Sequence, residues 1–275
     1  MSFREQFTGS PATSLMHRIT PHTSVQIWRG PVGEVVEKVH QDEARLSREH
    51  TALTTNAAQL GCSPTILHRE NNTIWMEVVP GRTCAPAELP AEAWMQAGSW
   101  LRRAHQIPLP SVDPLPLQTA LKRRWRGVLR RAQGLVPDAL LEQCRIKVGA
   151  PGQLATQRSW CHRDFTPDNW IWHAGRLSIL DFEHSRPDEP WSDLVKLEAC
   201  AFNEAPGSRE AFYEGYGPNP HAHQRLARIC WHGLATLTWG LRNAEPDFVA
   251  LGHRILRDQD RTNPVPNRTP KHPAR

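Results

Sequence analysis

At 275 residues, 39% of them hydrophobic, the chain is long enough to bury a sizeable core in one domain or two. Its 33 Lys and Arg against 28 Asp and Glu give a formal charge of +5 and a pI near 9.1. Arg261, Arg268, Lys271 and Arg275 lie in a Pro-rich stretch, 261–275, that holds no acid, so the rest is close to neutral and the basic pI argues little for nucleic acid.

That stretch reads as a disordered basic tail. No apolar run reaches the roughly 18 residues a membrane span needs, and M-S-F-R-E-Q-F-T-G-S-P has no apolar h-region. No membrane partner and no secretion signal are therefore expected. Cysteines 62, 84, 144, 161, 200 and 230 form no C-x-x-C pair and read as reduced, mostly buried thiols of a cytoplasmic protein.

Residues 14–40 read as three short strands, 15–19, 24–28 and 34–39, with turns at Pro21-His22-Thr23 and Gly30-Pro31-Val32-Gly33. Lys38, flanked by valines in the third strand, can reach nucleotide phosphates as a point charge. A helical pattern follows from Gln41 to Leu60. It carries two acids that could hold that lysine, Glu43 and Glu49, and Glu49 is preferred because it lies in the helix interior.

Strands at 65–68 and 73–79 flank an Asn71-Asn72 turn, and the second runs into Pro80-Gly81. Such a hinge can offer its backbone to an adenine edge, with Glu77 to Val79 as the expected contacts. From Pro90 the chain turns helical: 91–106, then one or two helices over 118–147. Lys122, Arg123, Arg124, Arg126, Arg130 and Arg131 make a run without acids, read first as a solvated helix face and second as an attractor for an anionic substrate.

The densest chemistry lies between Trp160 and Glu183, in W-C-H-R-D-F-T-P-D-N-W-I-W-H-A-G-R-L-S-I-L-D-F-E. Phosphoryl transfer from a nucleotide needs a carboxylate facing the acceptor hydroxyl and oxygen ligands for Mg²⁺. Asp164, Asn169 and Asp181 provide that set in the order of a kinase catalytic loop and metal-binding aspartate. A hairpin of 169–172 and 177–180 would fold Asp181 back beside Asn169.

Helices are expected near 192–204, 207–215, 221–242 and 246–259, with Asp193 capping or bracing the first beside the catalytic loop. Residues 181–215 hold nine acids against three bases, 9 − 3, a net −6. That excess fits either an ordinary solvated surface or the wall of a pocket for a polycation.

The segments C-H-R-D-F-T-P-D-N-W, I-L-D-F-E, E-V-V-E-K-V, L-S-R-E-H and L-R-R-A-H together resemble the aminoglycoside phosphotransferase family, which includes choline kinase-like enzymes. The resemblance runs from about residue 15 to 257. It implies an α+β, bilobal protein-kinase-like fold: a five-stranded antiparallel N-lobe over 1–80 and a mainly helical C-lobe over 81–260. It further implies Asp164 as catalytic base, Asn169 and Asp181 as Mg²⁺ ligands, and Lys38 with Glu49 as the phosphate clamp.

Three departures from the family or from protein kinases stand out. Arg163 replaces the usual Gly, Thr166 stands where serine/threonine kinases carry a lysine, and Glu183 replaces the third residue of D-F-G with no A-P-E segment after it. No glycine-rich phosphate loop exists, so Thr20 to Ser24 would have to serve. The cofactors implied are ATP, with GTP as an option, and Mg²⁺. The partner implied is a small-molecule hydroxyl acceptor, first an antibiotic and second a metabolite such as choline, an amino sugar or homoserine. An inactive nucleotide-binding scaffold is the alternative of another class. The chain would act as a monomer or homodimer.

Overall fold

The computed structural model describes residues 13–20, 22–30, 33–109, 115–154, 157–218 and 222–258. The expected disordered tail, 261–275, lies outside them, as do Pro21, Pro31 and Val32 of the expected turns. Two compact units divide the chain, one of 1–120 and 152–222, the other of 121–151 and 223–275.

The first unit opens with an antiparallel sheet. Strands β1 (Thr13–Ile19), β2 (Thr23–Gly30) and β3 (Gly33–His40) form a meander, and β4 (Ile66–Glu70) with β5 (Thr73–Glu77) completes the order β1-β2-β3-β5-β4. Alternation along β3 gives the sheet two faces. Val35 packs with Trp28 and Trp75 on one side, while Lys38 and His40 turn their buried side chains to the other.

That second face is covered by α1 (Glu43–Thr51). Asp42 caps it, accepting from the backbone N–H of Ala44 at 2.7 Å and of Arg45 at 3.1 Å, an arrangement that contributes about 1 kcal/mol. The helix buries Leu46 and Glu49. It widens into a π-turn over Ala52–Asn56 before α2 (Ala57–Leu60), so the expected 41–60 helix is three pieces.

Strand β5 stops at Glu77, two residues short of expectation. Glu77 N–H donates to Thr65 O at 3.0 Å, and the chain then leaves the sheet toward Pro80. Pro80 has no N–H to continue a ladder and disfavours compact backbone before it. Gly81, at φ 111°, lies so close to β8 (Trp170–His173) that a Cβ would sit 2.8 Å from His173 Cβ. Immediately after it, β6 (Arg82–Thr83) pairs with β8, a strand the sequence did not suggest.

Helix α3 (Ala91–His105) crosses the unit and packs on α8 (Ser208–Tyr216), which follows the short α7 (Phe202–Glu204). Gly98 and Gly215 permit this approach, since a Cβ on either would collide with a carbonyl of the facing helix. Around α3 lies an aromatic core: Trp94, Trp100, Trp160, Phe165, Trp170, Phe182, Phe202 and Phe212 are all buried. Phe165 stacks on Trp100 with centroids 5.6 Å apart, so the core lies directly beneath the Trp160–Glu183 segment. Most tryptophans are thereby core residues, as expected.

In the second unit, α5 (Asp138–Val148), α9 (Arg225–Asn243) and α10 (Pro246–Asp258) join α4 (Leu117–Ala132) from Leu121 onward. Trp125 meets Trp231 at 5.2 Å, and Gly252 lets α10 touch the backbone of Leu237. Lys122, Arg123, Arg126, Arg130 and Arg131 are exposed, which is the solvated helix face read first from the sequence. The cysteines are free thiols, of which Cys144, Cys161 and Cys230 are buried and Cys62 is exposed.

Candidate active site

The nucleotide-side cluster is built on Lys38. Its Nζ lies 2.7 Å from Glu49 Oε2, 2.8 Å from Asp181 Oδ1 and 3.9 Å from Glu183 Oε2. Glu43, the competing acid, is exposed and pairs with Arg69 instead. Burial by itself would push the Lys38 ammonium down, but the carboxylates of Glu49 and Asp181 outweigh it and the net shift is upward. Burial likewise works against ionised Glu49 and Asp181; the charge of Lys38 with the His40 contact outweighs it for Glu49, and the charge and hydrogen bond of Lys38 with the nearby His162 and His184 outweigh it for Asp181, holding each below the usual carboxylate range.

Two further residues complete this cluster. His40 Nε2 lies 2.9 Å from Glu49 Oε2, and His40 Nδ1 lies 3.7 Å from Glu183 Oε2. Arg45 of α1 donates to Glu183 at 2.6 Å, and Arg48 Nε donates to the Glu183 carbonyl at 2.8 Å. Glu183, which breaks the D-F-G pattern, thus ties α1 to the segment that carries Asp181.

The segment that carries Asp164 begins with β7 (Ser159–Cys161), which pairs with β10 (Arg186–Asp188). His162 is fully buried: its Nδ1 accepts from Asp164 N–H at 3.3 Å, leaving Nε2–H to donate to Leu180 O at 2.8 Å. Arg163 sits at φ 67°, a left-handed conformation unusual for a side-chain-bearing residue. Buried partners hold it there. Its N–H and that of His162 donate to Asp193, and its Nε lies 2.8 Å from the fully buried carboxylate of Asp188.

Asp193 belongs to α6 (Trp191–Lys196) and braces the loop rather than capping the helix. His105, at the end of α3, bridges Asp193 Oδ2 and the Tyr216 hydroxyl at 2.9 Å each. The left-handed turn at Arg163 aims Asp164 outward, with its side chain 26% exposed. Burial would raise the Asp164 carboxyl, but the Lys196 ammonium, also on α6, outweighs it and holds the group below its ordinary value.

A 3₁₀ turn over Pro167–Asn169 leads into the hairpin of β8 and β9 (Arg176–Ile179). Asn169 Nδ2 donates to Asp164 O at 2.8 Å, which fixes the amide so that its Oδ1 is left to ligate. Leu180 N–H donates to Asn169 O at 2.9 Å, joining the hairpin ends. Asp181 follows at φ 64°, its side chain 36% exposed. A carboxylate and an amide oxygen held this way are hard donors of the kind Mg²⁺ takes, so the residues fit that ion.

Lys38, Glu49 and Asp181 are in direct contact, and Asn169 joins Asp164. Glu77 ends β5 and Val79 follows it. In the β1–β2 turn, the Thr20 hydroxyl accepts from Thr23 N–H at 3.0 Å and is thus used within the turn itself.

The acidic stretch 181–215 is largely engaged internally. Asp181, Glu183, Asp188 and Asp193 have the partners given above, and Glu198 accepts from Arg209 and Tyr213. Glu204, Glu210 and Glu214 are exposed. Sequence reading missed Arg45, Asp188 and Lys196 because their partners lie far along the chain, and it missed His40 although its partner Glu49 is on the next element. The departures at Arg163 and Glu183 were the visible signal.

Comparison with known proteins gives a family and a fold. A family model described as the phosphotransferase enzyme family matches residues 22–227. No curated protein matches the chain. Among solved structures, APH(2")-IIia in complex with GDP and kanamycin is similar with a TM-score of 0.70 at 15% identity, covering 92% of this chain and 94% of that one. A macrolide 2'-phosphotransferase from Brachybacterium faecium has a TM-score of 0.68 at 18% identity, with 95% and 94% covered. A choline/ethanolamine kinase family protein from Mesorhizobium loti has a TM-score of 0.66 at 18% identity, with 92% and 88% covered.

Proposed function

The chain belongs to the phosphotransferase enzyme family, and on that premise we propose that it moves the γ-phosphate of ATP to a hydroxyl of a small molecule, an antibiotic of aminoglycoside or nucleoside type, giving resistance. The observation that carries this reading is the Lys38–Glu49 pair in contact with Asp181, together with a braced loop that presents Asp164 ionised and partly exposed. Lys38 would hold the phosphates as a point charge fixed by Glu49. Asn169 and Asp181 would hold Mg²⁺, which when bound offsets phosphate charge. Asp164 would orient the acceptor hydroxyl and take its proton late.

Glu77 and Val79 remain proposed adenine contacts through the hinge backbone. Similar structures include complexes with GDP and with ADP, so ATP and GTP are both to be tried as donors. No helix among the described residues is long and apolar enough to cross a membrane, and neither membrane nor nucleic acid is among the proposed partners.

Within the antibiotic class, the internal engagement of Glu183, Asp188, Asp193 and Glu198 removes most of the argument for a polycationic acceptor. A sugar or nucleoside hydroxyl gains accordingly. The deciding experiment is nucleotide consumption with ATP and GTP across aminoglycosides, macrolides, nucleoside antibiotics, choline and amino sugars. Acceptor-dependent turnover with an antibiotic supports the proposal. Turnover confined to choline or an amino sugar moves the protein to the metabolic kinases, and none with any compound removes the reading.

A further inference from the structure

Lys196 is the last residue of α6, and Asp193 lies three residues before it on the same helix. Asp193 is fully buried and accepts from the backbone of His162 and Arg163, so the register of α6 is pinned against the catalytic loop. Positions i and i+3 share a helix face. Lys196 is therefore delivered to the loop as well, and its Nζ donates to Asp164 Oδ1.

The pair is open to solvent, with the lysine side chain 38% and the aspartate 26% exposed. A half-exposed pair contributes little to stability, so folding gives no strong reason for its placement. Among the described residues, Lys196 is the ion-pair partner of Asp164. Within the loop, Arg163 is engaged by Asp188, and Thr166, two positions after Asp164, is uncharged.

We infer that Lys196 is a positioning residue of phosphoryl transfer: it holds Asp164 by Oδ1, so that Oδ2 faces the acceptor hydroxyl, and it sets a positive charge beside the reacting atoms. This rests on the proposed phosphotransferase reading. In that step the acceptor oxygen forms a bond to the γ-phosphorus and the γ-phosphorus to bridging-oxygen bond breaks. Its electron pair leaves with ADP, and the hydroxyl proton passes to Asp164 Oδ2. A carboxylate free to rotate would present either oxygen, or neither, in line with the phosphate. The lysine removes that freedom, which is an orientational effect on turnover rather than on nucleotide binding.

The test compares Lys196→Met and Lys196→Arg in the full chain, with MgATP and each compound of the acceptor panel, and with MgATP alone where water is the acceptor. Lys196→Met is expected to lower kcat by about tenfold or more while changing the KM for MgATP less than about twofold, the pattern of an interaction used in the transition state. Lys196→Arg keeps the charge and should restore most of the rate. MgADP affinity by calorimetry should be the same in all three proteins.

Wild-type turnover in the Met variant would overturn the role. So would an Arg variant as slow as Met with unchanged thermal unfolding, because charge would then not be what matters. A wild-type chain that consumes no nucleotide under any condition would overturn both this role and the phosphotransferase reading. That result is distinguishable from an active wild type beside an equally active Met variant.

Discussion

At the scale of single residues, the site depends on charges buried against one another. Glu49, with its side chain 2% exposed, stays ionised because Lys38 Nζ is 2.7 Å away. Removing one partner of a buried pair leaves the other uncompensated, and Lys38→Met should therefore destabilise the protein by about 3–5 kcal/mol in urea unfolding. An unchanged midpoint would show that Glu49 takes a proton freely and that the pair is not structural. Asp181 differs, being open to solvent on one side. Asp181→Ala should weaken MgATP binding more than binding of ATP without metal, the result expected of the proposed metal ligand. Equal losses in a calorimetric titration with and without Mg²⁺ would make Asp181 a partner of Lys38 alone.

At the scale of elements, β3, α1 and the 3₁₀ turn Phe182–His184 meet through Lys38, Glu49, Asp181, Glu183 and Arg45. This junction predicts how stability follows pH. The folded-state values of Glu49 and Asp181 are depressed, so their contribution is fully present above the ordinary carboxylate range. It is lost as pH falls through the depressed values, that is below about pH 4. Lys38 is shifted upward, and its contribution is lost only above the ordinary lysine range. Stability followed by near-ultraviolet circular dichroism should fall below about pH 4 in the wild type and show a smaller acid loss in Lys38→Met, where the lysine no longer holds Glu49 and Asp181 down and only the His40 contact still opposes burial at Glu49. Equal acid losses in the two proteins would contradict this.

At the scale of the whole molecule, what was legible in the sequence is what local pattern carries. Lys38 and Glu49 lie on adjacent elements, and Asp164, Asn169 and Asp181 fall within one loop and hairpin, so spacing brought them together. The end of β5 was misjudged because Val78 and Val79 have strand chemistry, while Pro80 and the close approach of Gly81 to His173 override it. Strands β6, β7 and β10 have too few residues to show periodicity. The partners Arg163–Asp188 and Arg45–Glu183 depend on chain segments meeting in space, and no window of sequence contains both members of the second pair. The acidic stretch misled most: a net −6 says nothing of whether each carboxylate faces water or an internal donor. With Glu198 and its neighbours engaged, charge reversal at exposed Glu204 or Glu210 should leave acceptor KM nearly unchanged, and raising salt to physiological strength should have little effect on it. A rise in acceptor KM with either change would restore the polycationic pocket.

Phosphoryl transfer through Asp164 is tested most directly by following label from γ-³²P-ATP into a hydroxyl acceptor with the wild type and Asp164→Asn side by side. The wild type should yield a labelled phosphate ester, and the variant should bind MgATP as tightly yet form the ester at least about a hundredfold more slowly, the scale for a positioned acid–base group. Equal ester formation by the two proteins would contradict the assignment of Asp164.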